Sequence, residues 1–218
     1  MAEVADSSVD LIYAGPPYNI GTRYGSYTDN LELGEYHALL RRVFSECYRV
    51  LTDTGMLVIE CADSLVTNGT YLQLAGYMQA QCISLGFHLH SRHINFARSV
   101  SGVELPEEHW DTDYSTRINA HSNSSQLLVL SKDSAINFDP SGKILYYDYE
   151  PIEQHPCPTP VGIINFILDA YFKTGMTVLD PFMGTAAIGK EVVRRGGAFI
   201  GYERDASVFA FAKRNLNS

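Results

Sequence analysis

The stretch TVLDPFMGTAAIG, residues 177–189, decides how this chain is read. It opens as a short apolar run that ends in an acid, Asp180, and then turns at Gly184 into a segment of helical character. An apolar strand, an acid at its carboxyl end, a tight turn and a helix form the edge at which open α/β sheets bind nucleotides. A second apolar run, residues 198–203, follows and ends in Glu203. In the same geometry a carboxylate there accepts hydrogen bonds from ribose hydroxyls.

Working outward, the same alternation recurs. Residues 9–14 (VDLIYA) form a buried strand that stops at Gly15-Pro16-Pro17. Residues 35–51 place Tyr36, Leu39, Leu40, Val43, Phe44, Cys47, Val50 and Leu51 at helical spacing, and Thr52-Asp53-Thr54-Gly55 ends that helix. Strands are expected at 56–60, 87–97, 126–131 and 176–180, and helices at 73–85, 161–172, 188–195 and 207–216. Repeated strand–helix–strand order predicts a doubly wound, mostly parallel α/β sheet with right-handed crossovers in one domain, residues 1–218. The polar connection 98–125 is too long for filler and is expected to be a substrate-contact insertion, although its segment 104–113 is acidic.

Composition narrows the class. Of 218 residues, 45% are hydrophobic and 19% charged, which describes an ordinary globular chain. No apolar run is long enough to span a membrane, and the amino-terminal sequence lacks the pattern of a secretory signal, so a cytoplasmic location is expected. The four cysteines, Cys47, Cys61, Cys82 and Cys157, have no zinc-type spacing and read as free thiols. His88, His90 and His93 lack acidic or thiol ligands at metal spacing, so no metal is expected. A net charge of −9 leaves only local basic patches: Arg41, Arg42 and Arg49; Arg92 and Arg98; Lys190, Arg194 and Arg195.

The second chemical feature is DLIYAGPPYNI, residues 10–20. Two prolines remove two amide donors and fix φ, which makes a rigid loop rich in acceptors, and an aromatic residue follows. Such a loop suits an amine that needs acceptors and a planar base that needs a stacking face.

These motifs identify a resemblance. Gly15-Pro16-Pro17-Tyr18 resembles the (Asp/Asn/Ser)-Pro-Pro-(Tyr/Phe) catalytic motif of amino-methyltransferases. Asp180-Pro181-Phe182-Met183-Gly184 resembles their Asp-Pro-Phe-x-Gly cofactor motif. His155-Pro156-Cys157-Pro158-Thr159-Pro160 is similar to the His-Pro-x-x-Lys-Pro segment that leads into it. The order, catalytic motif first, is that of the β class of DNA amino-methyltransferases. The resemblance implies S-adenosyl-L-methionine as cofactor and a flipped DNA base as substrate, with adenine N6 preferred over cytosine N4. RNA and a homodimeric or heteromeric partner fit the same pattern. Carried over by position, Gly15, Pro16, Pro17 and Tyr18 form the catalytic loop, Tyr18 stacking on the base and the Pro16 carbonyl accepting from its amine. Asp180, Phe182, Gly184, Thr185 and Thr159 surround the cofactor, Glu203 holds its ribose, and Ser207 or Val208 lies near its adenine.

The chain departs from the family pattern at several points. Gly15 replaces the residue whose side chain accepts from the target amine, a loss worth roughly two to three orders of magnitude in rate. Thr185-Ala186-Ala187 stands where Ser-Gly-Thr is usual and brings methyl groups toward the cofactor. Thr159 replaces a lysine. The strand that precedes the catalytic loop in relatives is not evident, so an edge strand is expected to be missing. A second reading follows from these departures: an impaired homologue serving as the cofactor- or nucleic-acid-binding subunit of a heteromeric complex.

Overall fold

A computed structural model describes residues 1–67, 70–100, 103–104, 124–135, 142–149 and 158–217. β1 (Val9–Ala14) lies near the middle of the main sheet. It is followed by a small hairpin, β2 (Arg23–Tyr24) and β3 (Tyr27–Thr28), and by helix α1 (Leu33–Val50). β4 (Leu51–Ala62) returns beside β1 in parallel. The hairpin β5 (Leu65–Thr67) and β6 (Thr70–Leu72) leads to α2 (Leu74–Ser84), then to β7 (His88–Val100) and the short β8 (Val103–Glu104). After β9 (Ser124–Ser131) and β10 (Ile144–Tyr149) come α3 (Val161–Tyr171), β11 (Thr177–Asp180), α4 (Ala187–Arg194), β12 (Ala198–Gly201) and α5 (Ala206–Leu216).

The sheet runs β10-β7-β9-β4-β1-β11-β12, with β8 hydrogen-bonded to β7. β9 is antiparallel to both its neighbours, whereas β4, β1, β11 and β12 are parallel, as are β10 and β7. β1 leads through α1 to β4 on one side, and β11 leads through α4 to β12 on the other. The winding therefore reverses between β1 and β11, the switch point beyond whose carboxyl ends open α/β sheets bind ligands.

Alternation along the strands divides the core between two faces. Ile12, Ala14, Leu57, Ile59, Leu128 and Leu179 pack with the stripe Tyr36, Leu40, Phe44 and Cys47 of α1 and with α2. Leu11, Tyr13, Val58, Leu127, Val129 and Val178 face α3 and α4 instead. α1 keeps Glu35 in its first turn and Arg49 in its last, the charge order its dipole favours.

Three expectations are corrected. β4 begins at Leu51, because Thr52-Asp53-Thr54-Gly55 is not a terminator but a register shift: Val9 pairs with Leu51 and Leu11 with Met56. β10 emerges from a segment that reads as turns; its Leu145 and Tyr147 pack against the core while Ile144 and Tyr146 stay exposed. Glu203 lies two residues beyond β12 rather than within it. Of the expected insertion 98–125, the ends belong to β7, β8 and β9, and residues 101–102 and 105–123 lie outside the described residues. His155, Pro156 and Cys157 do so as well. No helix among the described residues is long and apolar enough to cross a membrane.

Candidate active site

The face of the sheet beneath α3 is apolar until it reaches the carboxyl edge, where it turns polar. Asp180 ends β11, Gly15 follows β1, Glu60 lies near the end of β4, and Ser125 opens the antiparallel β9. The register aligns them. Tyr13 pairs with Val58 and Ala14 with Ile59 across β1 and β4, and Glu60 pairs with Leu127 across β4 and β9. The expected site residues of β1 and β11 thus meet at one edge, and Thr159, just ahead of α3, reaches the same edge through Tyr13.

Asp180 is 2% exposed, and its Oδ1 accepts from the Phe182 amide at 2.9 Å. Burial pushes its carboxyl up to about 7, and the charge of Glu203 adds to the rise. Backbone contacts fasten the neighbouring turn: the Tyr202 amide donates to the Asp180 carbonyl at 2.9 Å, and the Met183 amide to the Tyr202 carbonyl at 3.0 Å. These bonds set Glu203 beside the β11 edge, where its Oε1 accepts from the Asp205 amide at 2.8 Å. Gly184 has φ +51°, and Ala186, which opens α4, also has positive φ at +58°. That explains a glycine at this position in the family motif. For alanine the left-handed conformation costs roughly 1–2 kcal/mol. Burial of the Ala186 methyl against Met183 and Ala212 offsets part of that cost, and the methyl is 0% exposed rather than open to a ligand.

The loop after β1 is held from several directions. The Tyr36 hydroxyl donates to the Pro17 carbonyl at 2.8 Å, so this carbonyl has a structural task. Asn19, at φ +61°, donates from Nδ2 to the Leu31 carbonyl and accepts from the Leu31 amide. The buried carboxylate of Asp29 accepts from the Asn19 amide at 3.0 Å. Burial raises the Asp29 carboxyl, and backbone amides around residues 19–22 counteract the rise. Tyr18, expected as an exposed stacking face, is half-buried and packs against the core.

From this loop the β2–β3 hairpin extends to the start of α5. Asp205 caps α5 by accepting from the Ser207 and Val208 amides through Oδ1. Its Oδ2 accepts from the Ser26 amide and hydroxyl, each at 2.7 Å. The Ser207 hydroxyl and the Ser26 donors hold this carboxyl well below the usual range. Arg204 lies over the Tyr27 ring at 4.1 Å. Gly25 makes the close approach possible: at φ +58°, an added Cβ would meet the Asp205 carboxyl at 2.4 Å. The hairpin thus ties the loop after β1 to the helix end where Ser207 and Val208 were expected to face the cofactor's adenine.

Asp180, Glu203 and the turn 182–185 fit a cationic nucleoside. Burial disfavours the Asp180 charge although the Phe182 amide donates to it, and a sulfonium, an ammonium and ribose hydroxyls would add cationic and donor partners that stabilise a carboxylate. Sequence reasoning missed Tyr13, Glu60, Asn19 and Asp29. An acid within an otherwise apolar strand was the available signal for Glu60.

Other expected features serve the scaffold. Arg49 pairs with Asp6 and Glu46, and Arg194 and Arg195 pair with Glu191. His93 is buried against Ser91 and Tyr171 and accepts from the Lys143 amide. Cys47, Cys61 and Cys82 are buried free thiols. Among the described residues, no group of three or more His, Cys, Asp or Glu is placed to hold a metal ion.

Fold and site together define a class: a doubly wound α/β domain whose switch point sets an acid-ended strand beside a Pro-Pro-Tyr loop. The chain matches the DNA methylase family model over residues 9–133 and 103–214, and it belongs to this family of S-adenosylmethionine-dependent N6-adenine and N4-cytosine DNA methyltransferases. It is 26% identical over 244 residues to the DNA adenine methyltransferase YhdJ of Escherichia coli K12, covering all of this chain and 79% of that one. A Thermus thermophilus protein assigned as a DNA modification methylase has the same fold, with a TM-score of 0.69, 21% identity and 99% and 89% of the two chains covered. Its complex with S-adenosyl-L-methionine superposes at 0.67 with 20% identity, covering 99% and 88%. The cytosine-N4-specific PvuII DNA methyltransferase superposes at 0.69 with 18% identity, covering 99% and 88%.

Proposed function

We propose that this chain methylates the exocyclic amine of a base in DNA, with adenine N6 the preferred acceptor. The observation that carries the proposal is the convergence of Gly15-Pro16-Pro17-Tyr18, Asp180 and Glu203 at the β1/β11 switch point. The name of YhdJ supports adenine, and the N4-specific PvuII enzyme shares the fold.

When bound, S-adenosylmethionine supplies an electrophilic methyl carbon whose bond to sulfur breaks as the amine nitrogen attacks. The protein's share is positioning and electrostatics. Asp180 and Glu203 hold the cofactor from the ends of β11 and β12, with Phe182, Gly184, Thr185 and Thr159 around it. Tyr18 faces the flipped base, and the Pro16 carbonyl takes one N–H of the amine. Pro17 keeps the loop in place through Tyr36. DNA contact by the segment 98–125 belongs to the same proposal.

The test is incubation of unmethylated duplex DNA of mixed sequence with the chain and S-adenosylmethionine, followed by nucleoside mass spectrometry. N6-methyldeoxyadenosine is the expected product. N4-methyldeoxycytidine alone would refute the base preference, and absence of both would refute the activity.

A further inference from the structure

One half-buried acid at the carboxyl edge, Glu60, has no role in the function proposed so far. The Tyr13 hydroxyl donates to Glu60 Oε2 at 2.5 Å, and since it donates there, the Thr159 hydroxyl at 2.8 Å donates to the Tyr13 oxygen. The Ser125 hydroxyl donates to Glu60 Oε1 at 3.2 Å, and Asn95 Nδ2 donates to Ser125 at 3.0 Å. This polar chain crosses β1, β4, β9 and β7 at their shared edge. Two departures from the family motif meet on it. Thr159 touches Tyr13 directly, and a Cβ added at Gly15 would lie 3.3 Å from the Tyr13 hydroxyl oxygen. The Tyr13 hydroxyl is therefore the polar group nearest to where the missing side-chain acceptor would begin.

Resting on the function proposed above, we infer that Tyr13, backed by Glu60, replaces the missing loop acceptor: its oxygen receives an N–H of the target amine, and the pair takes up that proton. In this step the amine nitrogen forms the bond to the methyl carbon, and the carbon–sulfur pair leaves with sulfur as neutral thioether. The N–H proton passes to the Tyr13 oxygen while the Tyr13 proton passes to Glu60, which ends as a neutral carboxylic acid and later releases the proton to water. One phenolic oxygen suffices for this: its proton goes to Glu60, one lone pair accepts from Thr159, and the second lone pair is left for the amine.

The electrostatics agree. Burial raises the Glu60 carboxyl, while its bonds from Tyr13 and Ser125 hold it down. Burial and the Glu60 charge push the Tyr13 phenol well above its ordinary value, so it stays a relay and not a phenolate. Tyr147 on β10 and Cys61 on β4 feel the Glu60 charge, Asp180 on β11 acts on Tyr13, and Asp63 and Arg92 act in turn on Cys61.

The experiment compares wild type, Tyr13→Phe, Glu60→Gln and Gly15→Asp in single-turnover transfer across pH on duplex DNA, alongside calorimetric affinity for S-adenosylmethionine. Glutamate carboxyl titration is followed by infrared difference spectroscopy. Tyr13→Phe and Glu60→Gln are expected to slow transfer roughly 10²- to 10³-fold. Cofactor affinity is expected to stay within about two-fold, since neither residue holds the cofactor. The acid limb of the wild-type rate profile is expected to share the midpoint of the Glu60 infrared band, a comparison that needs no variant to fold. Gly15→Asp is expected to give no gain, because it sets a second carboxylate beside the pair. Rates indifferent to Tyr13 and Glu60, a limb unrelated to the Glu60 band, or a ten-fold gain in Gly15→Asp would each overturn the inference while leaving the function standing. A wild-type chain that binds no S-adenosylmethionine would overturn the function itself.

Discussion

Replacing Asp180 with asparagine should change how stability depends on pH. The carboxyl is 2% exposed and is pushed from the ordinary 3.8 up to about 7, first by burial and then by Glu203. A folded-state value above the unfolded one means that the native protein binds this proton more tightly. The associated stability is complete below about pH 4 and is lost as pH rises to about 7. A displacement of roughly three pH units corresponds to about 4 kcal/mol between those limits. Asparagine keeps an oxygen for the Phe182 amide and has no proton to lose, so the loss should vanish. Urea unfolding of both proteins at intervals from pH 4 to pH 8 measures it. The difference between wild type and Asp180→Asn should move by about 4 kcal/mol in favour of asparagine as pH rises. Parallel curves would refute the assignment of a buried, charge-disfavoured acid to this strand end. A ligand that needs the ionised form should bind about ten-fold more weakly per pH unit below 7.

Tyr36→Phe removes the donor to the Pro17 carbonyl and should cost about 1 kcal/mol by urea unfolding, with a larger fractional loss in transfer rate than in cofactor affinity. Gly25→Ala places a methyl against the Asp205 carboxyl in a left-handed conformation and should destabilise by at least about 1 kcal/mol, with weakened cofactor binding as the hairpin lifts from α5. Glu203→Gln should lower the Asp180 titration midpoint by removing a neighbouring charge, and should weaken S-adenosylmethionine binding roughly ten-fold or more, both readable by calorimetry across pH.

The parts of this protein that repeat a general pattern were legible in its sequence. Residues 177–189 announced the strand, turn and helix of the cofactor edge, and the α1 stripe from Tyr36 to Cys47 was readable from its spacing. What escaped depends on pairing across the sheet. β4 takes in a polar stretch because β1 lies beside it, and β10, within a turn-rich segment, pairs with β7. The same holds at the site. At Gly15 the sequence does not show that an added Cβ would lie 3.3 Å from the Tyr13 hydroxyl, with Glu60 behind it. Asp29 reaches the Asn19 amide across a ten-residue loop, and Ser26 meets Asp205 across 179 positions, contacts that no local motif marks.

The central claim is that the carboxyl edge of β1, β11 and β12 holds S-adenosylmethionine, and calorimetric titration of the wild-type chain beside Glu203→Ala and Asp180→Asn near neutral pH tests it most directly. Saturable one-to-one binding that weakens at least ten-fold in each variant is the expected result; a wild-type chain that binds no cofactor, or variants that bind as tightly as wild type, would contradict the account.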